Sequence, residues 1–432
     1  MNLLANLEGV SENFISFMVK QIENTIDLNF IGDIVRWLVE SVGIIALGII
    51  IFTVVLKTIV LPLDVFSKVK TKKQSLIMER MRPQMEKLQK QYSNDKNMYN
   101  QKVMELYKKN GYSMLGVCLP TLVSLIIFML VFSQFSQYSQ YANLELYRGM
   151  VNEYNGVAVN YVCDDVSVPY DKEDNSGFLI AGTDTDGETV YYVDFLRFES
   201  YYNDNRAENQ PTYEQLVEEA AGADGVLTEN EMFVVIKEYV AEGAREAAAE
   251  YYRTENQGFL WVGNIWYPDS MLNKEVPSFS NFASSVSRAG DLSNYEESYN
   301  EVTAHLTAEK NTYNGYFVLI VLAIGMMFLS QFVTMRMQKS MNELGTVDGS
   351  GKRTNKWMLI IMPIIYGVFS FFYSAGFSIY MITNTLYSFL TTLIVNKVLD
   401  VKFKKLEETE QLDKYLRKPS KAERAGRNGK KR

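Results

Sequence analysis

The sequence predicts an all-α polytopic membrane protein: five transmembrane helices, a cytosolic helical hairpin and a small mixed α/β external domain. Three observations carry that prediction. Apolar runs of about 20 residues, the length that crosses a bilayer, recur in a chain whose mean hydropathy is only -0.10. The overall charge of -8 is divided by region, with Lys and Arg in three segments and Asp and Glu in a fourth. The apolar runs separate those segments so that all three basic ones fall on one side.

In chain order, residues 1–41 form an external N-terminal segment. Ile31, Ile34, Val35, Leu38 and Val39 recur there at helical spacing beside Trp37, which predicts an amphipathic helix. It either lies on the outer membrane surface or packs on the external domain. The segment has neither an early cationic stretch nor a compact apolar core of signal-peptide type. The first span is 42–63, interrupted only by Lys57.

Residues 64–113 form the cytosolic hairpin. Leu76, Met81, Met85, Leu88 and Tyr92 give one apolar stripe, and Met98, Val103, Leu106 and Tyr107 another. Ser93–Lys96 supplies turn and N-cap residues between them. The second span is 114–135. The acidic external insert is 136–315, in which Glu188–Ser200 alternates like a strand and Tyr213–Tyr252 reads as two helices. The third span is 316–335, the cytosolic loop 336–356 and the fourth span 357–373. A tight turn at Ser374-Ala375-Gly376 leads to the fifth span, 376–396, and a basic cytosolic tail, 397–432.

Orientation follows from the charges flanking the spans. Between Lys68 and Lys109 stand about 12 basic and about 4 acidic residues, whereas Gln137–Lys310 holds about 32 acidic and about 10 basic. The N-terminus is expected outside and the C-terminus in the cytosol of a multi-pass cell-membrane protein. Cys118 and Cys163 lie in an apolar run and a polar region, so no disulfide is expected between them. Neither a metal-ligand cluster, a phosphate loop nor a nucleophile–base pair is legible, and His305 is the only histidine. No enzyme activity and no cofactor are expected. Asp224, Gly225 and Glu231 fit part of a calcium loop, but Ala220 and Gly222 stand where oxygen ligands are needed; a capped helix start is the better reading.

Lys57 stands about 15 residues into the first span, and a cation at mid-membrane costs about 2.5–3.5 kcal/mol on insertion scales. Either its stem snorkels to the interface, or it serves a polar cavity. Thr53 lies one turn earlier on the same face. Ser330, Gln331 and Thr334 occupy the inner end of the third span, and Thr383, Asn384 and Thr385 lie in the fifth. Single hydroxyls in spans are ordinary packing groups; Gln331 and Asn384 are costlier. Facing Lys57, they would form a water-filled cavity open to the cytosol.

Several segments together resemble the YidC/Oxa family of membrane insertases. Phe52–Leu63 is similar to that family's first core span. Met78–Pro120 resembles its hairpin and the Gly-Cys-Leu-Pro opening of the next span. Gly258–Ser270 resembles its external Phe-Leu-Trp…Pro-Asp segment, and Met358–Lys397 its last two spans. The resemblance covers roughly 31–135 and 258–400. It implies a hydrophilic groove among the five spans, open to the cytosol and to lipid, through which nascent membrane proteins are inserted and helped to fold. The implied partners are those nascent chains, the bilayer, a ribosome bound by the basic tail without nucleic-acid sequence preference, and a Sec translocon; the core is implied to be monomeric. Lys57 stands where the family has arginine, and Ser124 and Ile126 where many members have Gln and Pro. The groove candidates are therefore Lys57, Thr53, Ser124, Gln331, Thr383 and Asn384. The long insert has no counterpart at this place in the family, and deletion of Asn143–Asn256 is expected to spare insertion.

Two other classes account for less of the sequence. A receptor or adhesion protein that displays the acidic insert leaves Lys57 and the hairpin unexplained. A solute transporter would bring inverted repeats, and the sequence has no internal repeat.

Overall fold

The computed structural model describes residues 18–112, 114–183, 189–221, 228–337 and 350–408. Two compact units emerge. The membrane unit is built from 28–138, 257–273 and 314 onward; the insert unit from 139–256 and 274–313 together with the segment before Leu28. The insert expected over 136–315 is thus not one run of chain. Residues 257–273 leave it for the membrane unit, and residues 18–27 join it.

The elements of the first half are α1 (Phe30–Glu40), α2 (Ile45–Gln91), α3 (Lys96–Asn110) and α4 (Met114–Val159), then the strands β1 (Leu179–Thr183) and β2 (Thr189–Val193). They are followed by α5 (Phe195–Asn205), α6 (Tyr213–Ala220), α7 (Glu229–Glu255), α8 (Phe279–Ser285), α9 (Glu296–Val302) and α10 (Thr307–Asn311). The last three are α11 (Val318–Met337), α12 (Ser350–Phe372) and α13 (Ala375–Glu408). Among the described residues, Ile45–Gln91, Val318–Arg336 and Ala375–Leu406 are long and apolar enough to cross a bilayer, and Ile360–Phe372 is a shorter apolar helix.

The boundary drawn at 63/64 falls inside α2, which runs 47 residues without a break and carries Pro62 and Pro83 in its interior. Its far half and α3 form the hairpin. The Asp95 side chain accepts from Met98 N and caps α3, and Gly111 closes it with a left-handed φ of 75°. The two stripes meet: Ile77, Met78, Met81 and Met85 pack with Tyr99, Val103 and Tyr107. Leu399 and Phe403 of α13 enter the same core, and Lys72 pairs with Asp400 at 2.6 Å.

α4 likewise outruns the expected end of the second span. Beyond Ser139 its buried face is Leu144, Tyr147, Val151 and Tyr154, packed on Ala244, Ala248 and Tyr252 of α7. A Cβ at Gly149 would collide with the Tyr251 ring, so the two helices approach closely there. Ile22 and Ile26 fill the same core, and Asn155 exchanges hydrogen bonds with the Val19 backbone at 2.9 and 3.1 Å.

Past that point a second core gathers Phe178, Phe198, Tyr202, Met232, Ile236 and Val240. β1 and β2 pair antiparallel with Ala181 opposite Tyr191. The strand read over Glu188–Ser200 stops at Val193, because the Asp194 side chain accepts from Leu196 N and Arg197 N and starts α5. The buried Arg197 then donates to the carbonyls of Asp165, Val168, Asn175 and Gly177. Glu231 is occupied by a capping box with Thr228 at the start of α7, which is the helix start preferred over a calcium loop; residues 222–227 lie outside the described ones.

Candidate functional site

The segment 257–273 ties the starts of α11 and α13 together. Tyr267 O accepts from Ala375 N at 2.8 Å and Ile265 O from Gly376 N at 2.8 Å, at the start of α13. A Cβ on Gly376 would press on Ile49 of α2 at 3.1 Å. Asp269, fully buried, accepts from Tyr316 N at 2.7 Å and Leu319 N at 2.6 Å at the start of α11, with Trp261 Nε1 at 3.3 Å. Asn314 completes the knot, donating to Asn264 O and Pro268 O while its own oxygen accepts from Asn264 N.

With the starts of α11 and α13 held together and Gly376 against Ile49 in the second turn of α2, helix rise gives depth. Lys57, Gln331 and Tyr387 each stand about 18–20 Å along their helices from those starts. α13 packs along both α2 and α11. The Thr58 hydroxyl donates to Val54 O at 2.7 Å, so the 3.2 Å contact with Tyr387 is a hydrogen bond from the tyrosine. That bond fixes α2 to α13 one residue beyond Lys57.

Lys57 is half-buried. Among the described residues no ion pair or hydrogen bond takes its ammonium; Asp64 and Lys68, two and three turns further on the same helix, are the charges that act on it. Thr53 is fully buried and donates to Ile49 O at 2.7 Å, a bond within its own turn. Gln331, Thr383 and Asn384 are half-buried, and none is hydrogen-bonded to Lys57. Thr385 is sequestered: its hydroxyl meets Tyr366 at 2.9 Å, and Tyr366 also reaches Met381 O at 3.1 Å. Ser124 lies on α4, and its side chain falls outside the described residues, as does Cys118.

Sequence reasoning missed Thr58, Tyr366 and Tyr387. A threonine one residue after an intramembrane lysine and tyrosines inside the last two apolar runs were the available signal, since a buried tyrosine hydroxyl in a span needs a partner.

The sequence model of the 60Kd inner membrane protein family matches residues 37–158 and 231–403. That is wider than the motifs alone: it includes the part of α4 and most of α7 that build the insert unit, and leaves out 159–230. The protein named membrane protein insertase YidC of Fusobacterium nucleatum is 41% identical over 93 residues, 22% of this chain and 43% of that protein. Those of Geobacter sp. (strain M21) and Jannaschia sp. are 34% identical over 113 residues and 36% over 95, covering 20% and 14% of those proteins. The matched part spans less than half the length of these relatives. No solved structure matches the chain. The long apolar helices, the capped hairpin and the two matched blocks together establish that this chain is a membrane protein belonging to the 60Kd inner membrane protein family, the YidC/Oxa family.

Proposed function

We propose that the chain is a membrane protein insertase and chaperone of five spans, with its N-terminus outside and C-terminus cytosolic. The spans are α2 up to about Leu63, the first part of α4, and α11, α12 and α13. The observation that carries the reading is Lys57, a half-buried cation with no ion-pair or hydrogen-bond partner among the described residues, at the depth of Gln331 and beside the α2–α13 seam. Such a charge is costly in hydrocarbon and is useful where it meets water and a polar substrate. Lys57, Gln331, Thr383 and Asn384 would line a groove open to the cytosol and to lipid.

The polar end of a nascent segment enters the groove, drawn by the positive charge. Its apolar stretch then slides into the bilayer, so the polar part crosses a shortened, wet path instead of about 30 Å of hydrocarbon. No cofactor or bond-making step is required. The hairpin receives substrates, the basic tail offers phosphate contacts to a ribosome, and a Sec translocon is a further partner of an otherwise monomeric core.

The reading is tested by complementation of a host depleted of its own insertase. Growth is the expected result. A stably expressed, correctly oriented chain that fails to restore growth would favour the anchor reading, in which the spans merely display the insert.

The two-core architecture refines the test of the insert. Deleting Asn143–Asn256 would remove the family-matched end of α4 and all of α7, which pack antiparallel. Replacing only 160–228 with a short Gly/Ser linker joins Val159 to Glu229 and removes most of the second core. This variant is expected to insert model substrates within about twofold of wild type, a difference below ~0.5 kcal/mol in barrier. Lost insertion at normal expression would place residues 160–228 in the mechanism.

A further inference from the structure

The segment 257–273 carries two leucines that the fold leaves outside. Leu260 is 74% and Leu272 73% exposed, and Met271 beside the latter is exposed as well. Leu260 sits at the tip of a turn closed by reciprocal bonds between Phe259 and Val262 at 2.8 and 2.9 Å. Its φ is 55°, a left-handed conformation that a bulky side chain disfavours. Packing within the protein does not reward that strain, because the side chain is not packed there.

Position supplies the reason. Leu260 precedes Trp261, whose indole donates to Asp269, and Leu272 follows Asp269 by three residues. Asp269 caps the first turn of α11. Ile265 and Tyr267 hold the first residues of α13. Both leucines are therefore held within a few residues of the points where apolar helices begin. Trp261 and the exposed Tyr316 stand at the same level, the residue types that settle at a membrane interface.

We propose that Leu260 and Leu272, with Met271, are a membrane-dipping rim: they insert between lipid acyl chains in the leaflet at which α11 and α13 begin. The occupant is lipid because these exposed apolar side chains are tethered to the starts of apolar helices, whose outward residues such as Val321 are themselves 64% exposed. The rim fixes the 257–273 knot at a set depth and so sets where the helix starts sit in the bilayer. The inference rests on α11 and α13 being spans and is independent of insertase activity.

The test uses the full chain in phosphatidylethanolamine/phosphatidylglycerol vesicles, with p-benzoylphenylalanine placed singly at position 260, 272, 321 or 196. Irradiation followed by mass analysis reads what each probe captures. Position 321 is the span control, and position 196, at an exposed leucine of the insert unit, is the negative control. The expected result is phospholipid adducts at 260, 272 and 321, with at least tenfold fewer at 196. Adducts at 321 but not at 260 and 272 would overturn the rim, as would capture of protein there, whether a second copy or another membrane protein. Failure at 321 would instead remove the span reading on which the rim rests.

Discussion

Asp269→Ala is expected to destabilise the membrane unit by about 3–5 kcal/mol, read as a fall in detergent unfolding temperature and in steady-state level. The carboxylate is fully buried and accepts from two backbone N–H groups at the start of α11 and from the Trp261 indole. Truncation leaves these donors without their acceptor, at about 1–3 kcal/mol for each buried group, and removes negative charge from a helix N-terminus. Asp269→Asn keeps one acceptor oxygen but turns an amide toward a donor, so roughly half the loss is expected. Gly315→Ala should mimic the truncation by another route, since its Cβ would collide with the Asp269 carboxylate. The knot joins the starts of α11 and α13, so its loss should loosen both. An Asp269→Ala protein that unfolds with wild type would show that the knot contributes nothing to holding those helices.

Much of the membrane unit was legible because its signals are periodic. Leu76, Met81 and Met85 lie at helical spacing and do pack against Tyr99, Val103 and Tyr107. Boundaries failed where one signal was weighed without its neighbour. Polar and acidic residues from Gln137 onward suggested a new domain, yet Tyr147, Val151, Tyr154 and Ala158 continue the helical period and are buried. Alternation over Glu188–Ser200 suggested a long strand, while Asp194 already marked a helix start. Ile22 and Ile26 could not be assigned from sequence, because a short extended segment has no period and its burial depends on α4 and α7.

The site was legible as chemistry and less so as geometry. Lys57 declares itself by cost alone. Which hydroxyls remain to serve it depends on rotamers: Thr53 donates within its own turn and Thr385 is held by Tyr366, while Gln331, Thr383 and Asn384 stay half-buried. The Thr58–Tyr387 bond joins residues far apart in sequence, and no spacing rule could have paired them.

Lys57→Ala and Lys57→Glu are expected to slow insertion of substrates with acidic leading segments, by about tenfold for Ala and more for Glu. A charge acting on an acidic segment in a wet groove is worth roughly 1–2 kcal/mol at an effective dielectric between water and protein interior, about a tenfold rate effect. Lys57→Arg keeps the charge and adds a planar donor fork, so it should insert at or above the wild-type rate. Neutral-tailed substrates should discriminate little among the four proteins. Stability separates function from snorkelling. Removing a cation from a span relieves part of the ~2.5–3.5 kcal/mol cost of placing it there, so Lys57→Ala should unfold at the same or a higher temperature while inserting more slowly. A lysine that merely snorkels to the interface would leave insertion unchanged in all three variants, and that result would remove Lys57 from the mechanism. Slower insertion at undiminished stability is the signature of a charge retained for what passes it.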